Sequence, residues 1–129
     1  LRVAPFLIED VTARAERIPQ QFKHPNGITG IEKVVVAVGE LGPIDKWYGA
    51  LLGANGQAVR NDPLRAEGLS FQTGAQRIEF MTPNDAASPL ATWLRKFGPS
   101  PYAAQLNSHE SSVHSLDARL THGANLLVT

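Results

Sequence analysis

The sequence predicts an α+β fold whose elements run strand–helix–strand–strand–strand, and three observations predict it. Residues Ile31 to Val38 are dense in β-branched side chains, and a helical period follows at once, with Ile44, Trp47, Tyr48, Leu51 and Leu52 at i, i+3, i+4, i+7 and i+8. Three short strand candidates come next, the last two split by Thr73-Gly74-Ala75 in the manner of a hairpin. The layout of strand, loop, amphipathic stretch and terminal glycine over residues 31–53 then recurs over residues 102–123, which reads as an internal repeat.

Taken in order, Val3-Ala4-Pro5-Phe6-Leu7-Ile8 reads as a strand already under way, so a preceding module before Leu1 is expected. Between Asp10 and Gly30 periodicity is lost, and Arg14, Arg17, Pro19, Lys23, Pro25 and Gly27 collect there; this is the expected linker. Gly39 ends the first buried strand, Pro43 suits a first helical turn, and Gly53 closes the helix. Strands are predicted at Gln57 to Asn61, Leu69 to Gln72 and Gln76 to Met81. Ser88-Pro89 supplies an N-cap and first-turn proline for a helix bearing Leu90, Trp93, Leu94 and Phe97 on one face and ending at Gly98. The spacing makes Trp47, Tyr48, Trp93 and Phe97 core anchors. A strand from Pro101 to Asn107 follows. Ser111 or Ser112 would then cap a helix carrying Val113, Leu116 and Leu120 and stopped by Gly123, where His122 would face the negative helix end. Leu126 to Val128 begins one more strand. The resulting organisation is residues 1–29 as terminal strand and linker, 30–98 as a βαβββ module with its linking helix, and 99–129 as the start of a second βαβ module.

Composition narrows the function classes. The 129 residues are 43% hydrophobic and 19% charged, which is the make-up of a folded domain. Twelve basic residues balance twelve acidic ones, so there is no electrostatic excess to draw the chain to nucleic acid or to a membrane surface. The longest apolar run, Val34 to Val38, is far too short for a bilayer span, and a cytoplasmic protein is expected. With no cysteine, thiolate metal sites and cysteine nucleophiles are excluded. The histidines at 24, 109, 114 and 122 share no metal-ligand spacing on a helix face, and no nucleophile elbow or phosphate-binding glycine loop is present.

Several stretches, in this order and spacing, resemble the vicinal oxygen chelate superfamily, the glyoxalase-like, bleomycin-resistance and dihydroxybiphenyl dioxygenase proteins. They are Ile31-Glu32-Lys33-Val34-Val35-Val36-Ala37-Val38 with Trp47-Tyr48-Gly49-Ala50-Leu51-Leu52-Gly53, Arg77-Ile78-Glu79-Phe80-Met81-Thr82-Pro83, Ser88-Pro89-Leu90-Ala91-Thr92-Trp93-Leu94, and Leu116-Asp117-Ala118-Arg119-Leu120-Thr121-His122-Gly123. The resemblance implies βαβββ modules whose mixed sheet curves around a cleft that binds a small molecule. It also implies a metal held by a histidine in the first strand, a glutamate in the fourth, a histidine opening the next module and a later glutamate. Carried onto this chain, those positions fall on Lys33, Glu79, Tyr102 and a point beyond Thr129, so Glu79 alone keeps a ligand type. No metal is therefore expected here, and a divalent ion would have to come with a missing module or across a dimer interface.

Strand alternation turns Arg77, Glu79 and Met81 away from Ile78 and Phe80, and Lys33 shares its face with Ile31, Val35 and Ala37. In the family's geometry Lys33 and Glu79 would face each other, the lysine ammonium standing where the metal stands. Glu79 is thus the candidate acid or base, weighed against a carboxylate simply paired with Lys33 or Arg77. The expected ligand cup comprises Lys33, Ser70, Gln72, Arg77, Glu79 and Tyr102. Open strand edges imply a homodimer. Two readings follow: a binding module without chemistry, or a metal-dependent lyase, isomerase or dioxygenase completed by residues elsewhere.

Overall fold

The structure, a computed structural model, describes residues 3–4, 9, 11–18, 25–109 and 113–129. Its elements are α1 (Arg14–Arg17), β1 (Ile28–Ala37), α2 (Gly42–Leu52), β2 (Gln57–Asn61), β3 (Ala66–Thr73), β4 (Gln76–Pro83), α3 (Pro89–Phe97), β5 (Ser100–Ser108), β6 (His114–Ser115) and β7 (Asn125–Val128). The seven strands form one open mixed sheet in the order β2-β3-β4-β1-β5-β7-β6. The expected α+β class holds.

The centre of the sheet is the antiparallel pair β1 and β5. Each has a parallel neighbour on its other side, β4 beside β1 and β7 beside β5, so the two halves repeat one pairing scheme. β1 is buried on both faces at its C-terminal end, which is why its sequence reads as an unbroken apolar run and not as an alternation. On one face Val36, Val38, Phe71 and Phe80 meet Ile44 and Tyr48 of α2, with the Tyr48 and Phe80 rings 4.4 Å apart. On the other face Val35, Ala37, Ala66 and Met81 meet Leu90 of α3. Gly68 is needed in β3 because a Cβ there would overlap the Phe80 carbonyl oxygen and come within 2.6 Å of the Met81 sulfur.

Local signals place the two longer helices. α2 has Pro43 in its first turn and ends at Gly53, whose φ of 66° is left-handed. In α3 the Ser88 hydroxyl accepts the Leu90 N–H at 3.2 Å, and Gly98 N–H returns to the Leu94 carbonyl at 2.9 Å. The β3–β4 hairpin turns on Gly74, with a φ of 67°.

Five expectations are corrected. The helix expected after Ser111 or Ser112, caps that lie outside the described residues, is absent: His114 and Ser115 pair with Val128 and Leu127, and residues 118–123 form turns. Its intended apolar face had nothing to bury against, since Val113 is 70% and Leu120 82% exposed. The strand–helix repeat over residues 102–123 and the helix-end role of His122 fall with it; His122 instead holds a left-handed turn position, φ 54°. Phe97, expected as a core anchor, is 53% exposed, because α3 turns its Leu90 end and not its last turn into the sheet. The linker is interrupted by α1, a single turn, and β1 begins at Ile28. Of the strand expected over Val3 to Ile8, only residues 3 and 4 are described; the Val3 carbonyl accepts the Tyr48 hydroxyl at 3.0 Å.

Candidate ligand-binding cup

Two irregularities in the β1–β5 ladder shape the site. Ile31 pairs with Leu106 and Lys33 with Gln105, so Glu32 is an extra residue; Val35 pairs with Ala103 and Val36 with Pro101, so Tyr102 is another. A bulge of this kind puts two successive side chains on one face of the sheet. Glu32 thereby reaches the same side as Lys33, against the alternation read from the sequence. Its carboxylate accepts from Arg77 of β4, from the Gln105 amide of β5 and from the Thr129 hydroxyl.

Beside this network Lys33 Nζ donates to both oxygens of Glu79, at 3.1 and 3.0 Å. The pair lies well inside the protein, Glu79 being only 6% exposed. Buried carboxylates persist as charges only when a cation and hydrogen bonds compensate them, and here one ammonium does both. The expected facing of Lys33 and Glu79 is what the structure holds.

Lys33 and Val35 floor a cavity of about 470 Å³. Tyr102 and Gln105 line it from β5, Asn61 and Leu64 from the β2–β3 turn, and Leu116 and Leu127 from the far side. Tyr102 stands edge-on to Trp93, with ring centroids 5.3 Å apart, and partial burial pushes its phenol above the usual tyrosine value. The phenol is therefore un-ionised at neutral pH. The β2–β3 turn is fixed from behind: the Ser88 hydroxyl donates to the Leu64 carbonyl at 2.7 Å, Asn84 N–H to the Arg65 carbonyl at 2.9 Å, and Arg65, at a left-handed φ of 48°, pairs with Asp85. The Arg65 guanidinium holds the Asp85 carboxyl below the ordinary carboxylate range.

The six residues expected in one cup divide. Lys33 and Tyr102 line this cavity, and Glu79 lies beneath Lys33. Ser70, buried opposite Glu79 in register, lines with Gln72 and Arg77 a separate cleft of about 350 Å³ towards β2. Gln72 is exposed and its amide turns back to the Gly74 carbonyl at 2.7 Å. Sequence reasoning missed Glu32, Gln105, Asn61 and Leu64. Gln105 carried a signal, being a polar residue in the strand that faces Lys33; the others depend on a bulge and a turn.

No family model matches the sequence, and no curated protein does. The fold does have solved counterparts. Methylmalonyl-CoA epimerase from Mycobacterium tuberculosis superimposes with a TM-score of 0.71 at 18% identity, over 83% of this chain and 91% of that one. The chain has the vicinal oxygen chelate fold. A Streptomyces coelicolor methylmalonyl-CoA epimerase variant in complex with 2-nitronate-propionyl-CoA matches at TM-score 0.65 and 16% identity, over 78% of this chain and 93% of its own. A hypothetical protein from Bacillus halodurans matches at 0.62 and 12%, over 76% and 91%.

In a vicinal oxygen chelate fold the donor set can be tested against a divalent metal, and it does not fit. Lys33 brings a positive charge to the position the resemblance gives to the first ligand, and its Nζ already lies on both oxygens of Glu79. Tyr102 brings a protonated phenol to another. Beside β5 the parallel strand β7 presents Asn125, Leu126, Leu127 and Val128, none of them a carboxylate. Among the described residues no three His, Cys, Asp or Glu side chains come together. Hard or borderline divalent ions need carboxylate or imidazole ligands in number, and one carboxylate already neutralised by an ammonium is not such a set. Among the described residues no helix is long and apolar enough to cross a membrane.

Proposed function

We propose that this chain is a metal-independent, small-molecule-binding protein of glyoxalase-like fold, with the cavity over Lys33 as its ligand site. The observation that carries the reading is the Lys33–Glu79 pair: an ammonium on both carboxylate oxygens occupies the one surviving chelating group from within the chain. In this reading Glu79 is the counter-ion of Lys33 and not a general base, since it lies beneath Lys33 and is not among the side chains lining the cavity. The cavity falls within the range of small-molecule sites and has their character, mostly apolar walls with a few polar side chains that fix orientation.

Elemental analysis tests the reading. Protein purified without chelator and then dialysed should hold less than about a tenth of an equivalent of manganese, iron, cobalt, nickel or zinc, and adding these ions should leave the melting temperature unchanged. A retained stoichiometric ion would restore the metal-dependent lyase, isomerase or dioxygenase reading and overturn this one.

A further inference from the structure

The charges around the cavity floor cancel in pairs. Lys33 is matched by Glu79 at 3.0 Å and, beside it, Arg77 by Glu32; apart from Lys33 the side chains lining the cavity carry no charge. What remains is hydrogen-bonding capacity without net charge. Lys33 has three N–H groups, of which two are taken by Glu79. Asn61 uses its carbonyl oxygen on Leu64 N–H and keeps its amide hydrogens, and among the described residues the Tyr102 hydroxyl and the Gln105 carbonyl oxygen have no partner. Around these, Val35, Leu64, Leu116 and Leu127 are hydrocarbon.

We infer that the cup takes an uncharged, largely apolar molecule that presents a carbonyl group to Lys33, and that it discriminates against carboxylates. The inference rests on the proposed ligand-binding role of the same cavity. A carboxylate entering this site gives up its water and meets a cation whose charge is already spent on Glu79, so its desolvation is not compensated. A carbonyl oxygen loses much less on leaving water and needs only the remaining Lys33 N–H. The discrimination is electrostatic and lies in Glu79, which turns the floor from cationic to neutral.

A matched pair of probes tests this: 4-phenylbutanamide and 4-phenylbutanoate share one skeleton and differ in charge at pH 7. In ¹⁵N-resolved NMR titrations of the whole chain, the amide should shift the backbone resonances of Lys33, Val35, Ala103 and Gln105 and bind with a Kd at least fivefold below that of the carboxylate. A ratio below fivefold, or a preference for the carboxylate at these same residues, overturns the inference and leaves the ligand cup standing. Movement of none of these resonances by either probe at millimolar concentration removes the cup as well. In Glu79→Gln, where Lys33 loses its counter-charge, 4-phenylbutanoate should bind at least fivefold more tightly than to the unaltered protein; unchanged binding also overturns the inference. Should that variant fail to fold, the comparison on the unaltered chain decides alone.

Discussion

The two halves of the sheet are paired alike and packed differently. β1 with β4 and β5 with β7 are both parallel pairs that flank the central antiparallel ladder. In the first half α2 covers one face and α3 closes the other, and the buried apolar residues from Val35 to Leu90 all belong to it. Among the described residues of the second half β6 has only two residues, no helix covers the sheet, and Val128 is the single buried hydrophobic side chain. Backbone pairing alone therefore sets the register of a half-module, while the burial that stabilises it comes from the covering helix. The cup lies on the seam, with its floor of Lys33 and Val35 from the first half and a wall from the second.

Phe80 breaks this contrast most sharply. It is fully buried between Phe71 and Tyr48, so Phe80→Ala removes an aromatic ring from a site that α2 prevents from collapsing. We expect a loss of about 4 kcal/mol in urea unfolding. A loss below about 1 kcal/mol would mean that the first half does not hold the core.

That core was legible because its residues obey one period at a time. Ile44 and Tyr48 fall on the helical period read for α2, whose other apolar members Leu51 and Leu52 are exposed, and Gly53 and Ser88 mark helix boundaries with residue types whose local chemistry is specific. Lys33 facing Glu79 was expected from the resemblance, and the parallel register of β1 and β4 provides it. The rest of the site was not. Glu32 owes its direction to a bulge, which is set by how two strands meet and leaves no mark in either strand alone, whereas Tyr102, at a second bulge, was expected in the cup from the resemblance. The second half misled for a related reason: Val113, Leu116 and Leu120 have helical spacing, but spacing states only that a helix could bury one face. Asp117 decides locally, its carboxylate accepting the Arg119 N–H at 2.9 Å and its carbonyl the Leu120 N–H at 2.9 Å, which closes a turn where helix was expected.

The seam is the next place to press. Ser88 caps α3 and also donates to the Leu64 carbonyl, tying the β2–β3 turn that walls the cup to the helix that closes it. Ser88→Ala deletes both contacts, and about 1 to 2 kcal/mol of stability should go with them. Amide exchange sharpens the comparison: protection should fall at Leu64 and Leu90 and stay unchanged in β7. A uniform fall across the sheet would show that the two halves unfold as one unit.

The smallest effect belongs to the second half's own hydrophobic surface. Leu120 is 82% exposed in the turn that replaces the expected helix, and its N–H is held by the Asp117 carbonyl whatever the side chain. Leu120→Ser removes almost no buried area, so unfolding should move by less than about 0.5 kcal/mol. The same change on a helix packed against β5 and β7 would cost several times more, as large-to-small changes in a core do. A loss of 2 kcal/mol or more would therefore place Leu120 against a surface and give the second half a covering element after all. A null effect would leave it what its burial describes: a ladder in register, with its one anchor at Val128.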